Sequence, residues 1–220
     1  MSTPSDVIYQ QTKRLKRSGA PLASPFREMV EWIGAEFRVR VLNVVYDIDD
    51  SYDRPRLSVI LDTQEDAMKL QDGAFGGFSR LAQKRIQEHF EAILAEQGNR
   101  RFNVEGMFVV FAAFEHVARM EANESVTKND LDQFKAKLNN QDLWEISRLS
   151  DTVTFFFYTD AQVKHYEAAG LRDAYAREYA RLIEPHDEFG YFRRRGVLAY
   201  FDSKENFDSN YESNWYYYYK

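Results

Sequence analysis

Residues 107–114, MFVVFAAF, are the longest apolar run in the chain: eight residues with no charge and no polar break. Such a run, bounded by polar residues, reads as a strand apolar on both faces, which only the interior of a covered sheet tolerates. It falls far short of the ~20 residues a helix needs to cross a bilayer, so no membrane span is expected. Residues 151–158, around Phe155, Phe156 and Phe157, form a second buried strand. Strands of this kind oblige the chain to supply amphipathic helices that cover them.

Those helices are legible. Residues 6–17 read as a first helix, with Ser5 before it, Gly19 beyond it, and a basic second half (Lys13, Arg14, Lys16, Arg17) that suits the negative end of the helix dipole. Ser24 and Pro25 mark the next start, followed by Phe26, Met29, Val30, Ile33 and Phe37 at helical spacing. From Arg38 the pattern turns to β-branched and aromatic residues as far as Ile48. An acidic turn and Pro55 follow, and residues 56–62 complete a hairpin. Residues 65–70 read as a short helix, and Phe78, Leu81, Ala82, Ile86, Phe90, Ile93 and Leu94 form an amphipathic stripe closed by Gly98. Residues 101–115 read as one long strand. Helices are expected over 129–138, 160–169 and 171–183, a strand around Gly196 over 189–201, and a terminal strand ending in WYYYYK.

The expected fold class is α+β, with mixed, mainly antiparallel sheets and helices packed on one side. The 220 residues suit a single globular domain spanning 1–220. Residues 37–116 and 143–220 also repeat one order: strand, short helix, glycine break, longer helix, strand. Thr63, Ala67, Lys69 and residues 80–86 echo Thr159, Ala161, Lys164 and residues 177–183. An internal duplication would make these halves two similar α+β units, preceded by a helical segment over 1–36.

Composition excludes several chemistries. The chain has no cysteine, which removes disulfides, thiolate nucleophiles and zinc–thiolate sites. Thirty-five acidic against twenty-nine basic residues give a net charge of −6, which opposes nucleic-acid binding. Residues 1–19 contain no apolar signal core, so a cytoplasmic location is expected. No cofactor is expected.

Candidate chemistry is sparse. Asp47, Asp49, Asp50 and Asp53 crowd carboxylates at a strand end, where a hard divalent cation could be held. The turn lacks the glycine and bidentate glutamate of an EF-hand, and Arg54 and Arg56 stand ready to neutralise it. A divalent-metal-dependent hydrolase or transferase using this turn, with His116 as its candidate acid–base partner, is the alternative functional reading. The four histidines, His89, His116, His165 and His186, show no metal spacing. The DGAFGG stretch at 72–77 lacks the ending of a phosphate loop. Arg193, Arg194 and Arg195, set among aromatics, are diluted by neighbouring carboxylates.

The C-terminus is the most unusual segment. Seven of the fourteen tyrosines lie between Tyr191 and Tyr219. In a terminal strand, Trp215, Tyr217 and Tyr219 would share one face, and Tyr216 and Tyr218 the other. Tyrosine and tryptophan concentrate at binding surfaces because they offer stiff apolar area with a polar handle. The expectation is therefore a non-enzymatic protein-interaction module that binds another protein of basic character. Trp215, Tyr216 and Tyr218 supply affinity, while Asp47, Asp49 and Asp50 steer the encounter. Bacterial toxin-neutralising immunity proteins share this size and acidity, an analogy of composition alone. An open terminal strand could also pair with a second copy, so both a monomer and a homodimer fit.

Overall fold

The computed structural model describes residues 3–49, 51, 53–72 and 77–220. The chain divides into two compact units, Met1–Val117 and Ala118–Lys220. Each is built round a three-stranded sheet whose middle strand is the second arm of a hairpin.

In the first unit the order is α1 (Val7–Ser18), α2 (Phe26–Phe37), β1 (Val41–Asp49), β2 (Arg54–Leu61), α3 (Gln64–Met68), a two-strand ribbon β3 (Gln71–Asp72) and β4 (Gly77–Phe78), α4 (Arg80–Glu96) and β5 (Phe108–Ala113). β1 and β2 pair antiparallel, with Val44 opposite Val59 and Asp47 opposite Arg56. β5 returns parallel to β2, with Leu57 opposite Val109, giving the order β1-β2-β5. A parallel neighbour cannot be reached by a tight turn, so α3 and α4 make the crossover. Val44, Leu57, Val59, Val109 and Phe111 pack with Met29, Ile33, Ile86 and Phe90 of α2 and α4. α1 lies on the other face. There Asn43 Nδ2 donates to Thr12 Oγ1 at 3.0 Å, and Tyr9 stacks on Phe114 at 4.9 Å. Its Lys16 forms a buried ion pair with Asp62 at 2.5 Å.

Helix α5 (Phe114–Ser125) leads into the second unit. There follow α6 (Lys128–Leu138), β6 (Leu143–Leu149), β7 (Thr152–Phe157), α7 (Asp160–Ala168), α8 (Arg172–Ile183), a 3-10 turn (Glu184–His186), α9 (Tyr191–Arg195), β8 (Leu198–Ser203), α10 (Lys204–Tyr211) and α11 (Trp215–Tyr218). β6 and β7 pair antiparallel and β8 lies parallel to β7, in the order β6-β7-β8. Val153, Phe155, Phe157, Ile146 and Ala199 pack against Phe134, Tyr179 and Ile183.

The two units share their topology in detail. Each hairpin carries a register shift near its start, between Val41 and Asn43 and between Leu143 and Glu145. The side chains of Thr63 and Thr159 cap α3 and α7. The first N–H of each of these helices is received by a glutamate two residues past the third strand: Gln64 by Glu115 at 2.9 Å and Asp160 by Glu205 at 3.0 Å. Those N–H groups have no partner inside their own helices, which explains why Glu115 is buried. Thr63 and Thr159 thus hold one structural position. Equal steps from these caps pair Ala67 with Val163, so the Ala67–Ala161 echo is out of register.

The chain is α+β, with mixed sheets and helices packed around them. Several boundaries differ from expectation. The strand expected over 101–115 is only β5, because Val117, Ala118 and Ala122 recur at helical spacing and bury along α5. β6 was not anticipated, since its sequence LWEISRL mixes charges into an edge strand. The segment 189–201 divides at Gly196, whose φ of 74° ends α9 before β8 starts.

Tyr179 supplies a test of the second core. Burial pushes its phenol up to about 12, and its hydroxyl donates to Asn123 Oδ1 at 2.7 Å. The unfolded chain loses this proton near pH ~10 while the folded chain keeps it, so stability present below pH ~10 falls as pH rises towards 12. Urea titrations should show a loss approaching about 1.4 kcal/mol per pH unit from this residue. Tyr179→Phe should flatten that slope and cost about 1 kcal/mol at neutral pH.

Candidate functional site

The aromatic C-terminus is helical, which changes which rings face outward. Asn214 Oδ1 accepts the Tyr216 N–H at 2.9 Å and starts α11, so the period is 3.6 residues and not 2. Trp215, Tyr218 and Tyr219 therefore share the inner side, where a strand would have grouped Trp215 with Tyr217. This corrects the expected terminal strand.

The inner rings close one end of the β6-β7-β8 face opposite the Phe155 core. On that face the register places Glu145, Phe156 and Asp202 in one row, Ser147, Thr154 and Tyr200 in the next, and Leu149, Thr152 and Leu198 in the last. The first row is roofed by α10 and α11. Trp215 lies 4.2 Å from Phe207 and 5.2 Å from Phe156, and stacks on Trp144 at 6.1 Å. Tyr218 donates to Asp202 Oδ2 at 2.5 Å, and Tyr219 donates to Ser147 Oγ at 2.6 Å. Burial, reinforced by the Asp202 carboxylate, holds the Tyr218 phenol well above its ordinary range.

Beyond Tyr219 the roof ends. Leu149, Leu198 and Tyr200 stand roughly half exposed on the open rows. On the outer side of α11, Tyr216 is 66% exposed and Tyr217 47%, against 37% for Trp215. Tyr216 and Tyr217 are thus the free aromatics, while Trp215 and Tyr218 act as anchors. The sequence reading assigned none of Tyr217, Tyr200, Leu198 and Leu149 to the contact surface. Alternation along β8, with Leu198 and Tyr200 on one face, was the signal for two of them.

The acidic turn belongs to the first unit. Arg56 grips two of the three described carboxylates of the turn, with Nη2 donating to Asp47 Oδ2 at 2.7 Å, Nε to Asp47 Oδ1 at 2.9 Å, and Nη1 to Asp49 Oδ2. Asp50 lies outside the described residues, as does most of the 72–77 glycine stretch. Among the described residues no three His, Asp or Glu side chains converge as metal ligands. His89 stacks on Trp32 at 4.0 Å, and burial lowers its pKa. One member of each basic cluster is engaged as well: Lys16 pairs with Asp62, and Arg194 covers the Tyr191 ring at 4.6 Å. No helix among the described residues is long and apolar enough to cross a membrane.

No protein-family model matches the chain, and neither a curated protein nor a solved structure matches it.

Anchors and free rings should separate on mutation. Trp215→Ala should lower unfolding stability by about 2–4 kcal/mol, since it empties the roof over Phe156. Tyr216→Ala and Tyr217→Ala should each change it by less than about 0.5 kcal/mol. Chemical denaturation of the three variants measures this directly.

Proposed function

We propose that the chain is a non-enzymatic protein-interaction module whose contact surface is the exposed aromatic edge of the second unit. One observation carries this reading: Tyr216 and Tyr217 project from a helix whose inner rings are locked to the sheet. Rigid, pre-positioned tyrosines lose little conformational entropy on binding, and so contribute contact area efficiently. The open rows of Leu149, Leu198 and Tyr200 supply further apolar surface on the same unit. Glu205 and Asp208 are held by the Asp160 N–H, Lys204 and Ser213, so the acidic residue beside the aromatics that suits a basic partner is Glu212. Steric capping of such a partner, as immunity proteins do to toxins, is the mechanism this surface fits.

Engagement of Asp47 and Asp49 by Arg56 weighs against the metal-dependent alternative, because a cation would have to displace a guanidinium already in place. Two experiments separate the readings. Tagged chain and its Tyr216→Ser/Tyr217→Ser variant serve as baits in native extract, and the protein retained is purified and titrated calorimetrically. Binding should weaken by about tenfold or more in the variant, with an unchanged Tm. Equal retention by both baits overturns the proposal. Titration with magnesium, manganese and calcium should give no binding heat, and saturable heat abolished by Asp47→Asn would favour the hydrolase or transferase.

A further inference from the structure

Each unit leaves a cavity at the same place, between two successive helices and the first strand of its hairpin. In the second unit it measures about 410 Å³, with Glu124 of α5, Leu131 of α6 and Ile146 of β6 on its walls. In the first unit it measures about 480 Å³ and lies between α1, α2 and β1. Both volumes are those of small-molecule sites.

The two cavities differ in what crosses them. The register equates Arg148 of β6 with Tyr46 of β1. Arg148 Nη1 donates to the Asn123 and Val126 carbonyls, so a guanidinium ties the strand to the end of α5. Tyr46 is held elsewhere. Its hydroxyl donates to the Asn103 carbonyl at 2.9 Å, and its ring meets Phe102 edge-on at 5.1 Å. Phe102 meets Phe26 in the same manner at 5.5 Å. Three rings, fixed by one another and by a backbone carbonyl, thus form one wall of the first cavity.

A second wall is one face of α1, where Gln11, Arg14 and Leu15 recur at helical spacing. Leu22, in the connection to α2, adds to the lining. The floor is closed, since Asn43 and Val44 are only 3% and 2% exposed, whereas Leu15, Leu22 and the three rings are each partly exposed. A ligand here therefore meets side chains and not the peptide groups of the strand. Arg14 is the one charged residue of the lining; it is exposed and has no carboxylate partner among the described residues.

We infer that this cavity binds a free linear monocarboxylate, a medium-chain fatty acid, with its chain between Leu15, Leu22 and the three rings and its carboxylate on Arg14 and Gln11. The chain is stabilised by leaving water, and the single unpaired guanidinium selects an anionic head over a cationic or neutral one. Apolar walls leave the hydroxyls of a sugar or the ring nitrogens of a base without partners, which disfavours both. The site belongs to the first unit and takes a small molecule, so it can fail without the Tyr216 and Tyr217 surface failing, and the reverse.

Full-length chain is titrated calorimetrically with octanoate, nonanoate and decanoate below their micellar range. Binding should saturate at about one equivalent, tighten about fourfold for each added methylene, and raise Tm. Methyl octanoate and octylammonium should each bind about tenfold more weakly than octanoate. Arg14→Gln should bring octanoate down to the level of its methyl ester while leaving the ester's own affinity unchanged, a split that a purely structural arginine does not produce. Leu22→Glu should abolish binding of all three acids; if that variant has a lowered Tm, the Arg14→Gln comparison decides. No saturable heat at millimolar decanoate, or affinity independent of chain length, overturns the site. Several equivalents bound with a falling Tm is detergent action and overturns it too. Octanoate and its ester binding alike to the parent chain, or octanoate binding undiminished to Arg14→Gln, overturns the carboxylate head.

Discussion

A strand hydrogen-bonded along both edges and covered on both faces sets the terms for each unit. β2 and β7 occupy that position, and their neighbours follow from it. The hairpin supplies one edge at low loop-closure cost. The other edge must be parallel, so the chain has to leave through helices and come back. The junction where it leaves exposes the first N–H of α3 or α7, and the helix after the returning strand closes it with Glu115 or Glu205. One carboxylate thus ties three elements together.

The units diverge in what covers the remaining face. In the first, α1 precedes the hairpin and lies over Asn43, with polar and charged contacts through Thr12 and Lys16. In the second, α10 and α11 follow the last strand and roof the row of Phe156, with Tyr219 reaching Ser147 in the next. A partial roof of aromatic rings leaves an exposed aromatic margin, which is where the free tyrosines lie. Edge chemistry diverges as well. Glu145 accepts the Ile146 N–H, whereas its counterpart Asn43 donates to Thr12 of α1.

The legibility of the chain was uneven for physical reasons. The hairpin, the α4 stripe and β7 were visible because their apolar periodicity is strong and local. β6 was not, since an edge strand carrying Trp144, Glu145 and Arg148 has no clean alternation. α5 was hidden by the apolar run that begins in β5 and continues past its end, where side-chain composition does not reveal the change of period. Among candidate site residues, Tyr216 was visible as part of the aromatic run, and the helical turn set its exposure. Trp215 and Tyr218 were visible as aromatics but not as anchors, because strand and helix spacings sort the same five residues differently. Asp47 and Asp49 were visible as a carboxylate pair, and Arg56 as a neutralising neighbour.

Local chemistry determined what the sequence alone could specify: an α+β chain without thiol chemistry, strands at the apolar runs, and helices beginning near residues 65 and 160. Periodicity and capping act over a few residues and need no distant partner. Tertiary structure alone decided that β5 and β8 run parallel to their neighbours, which tyrosines stay in water, and that Asn43 meets α1. Each of these depends on groups far apart along the chain, such as Tyr218 with Asp202 or Asn43 with Thr12, whose meeting no local pattern encodes.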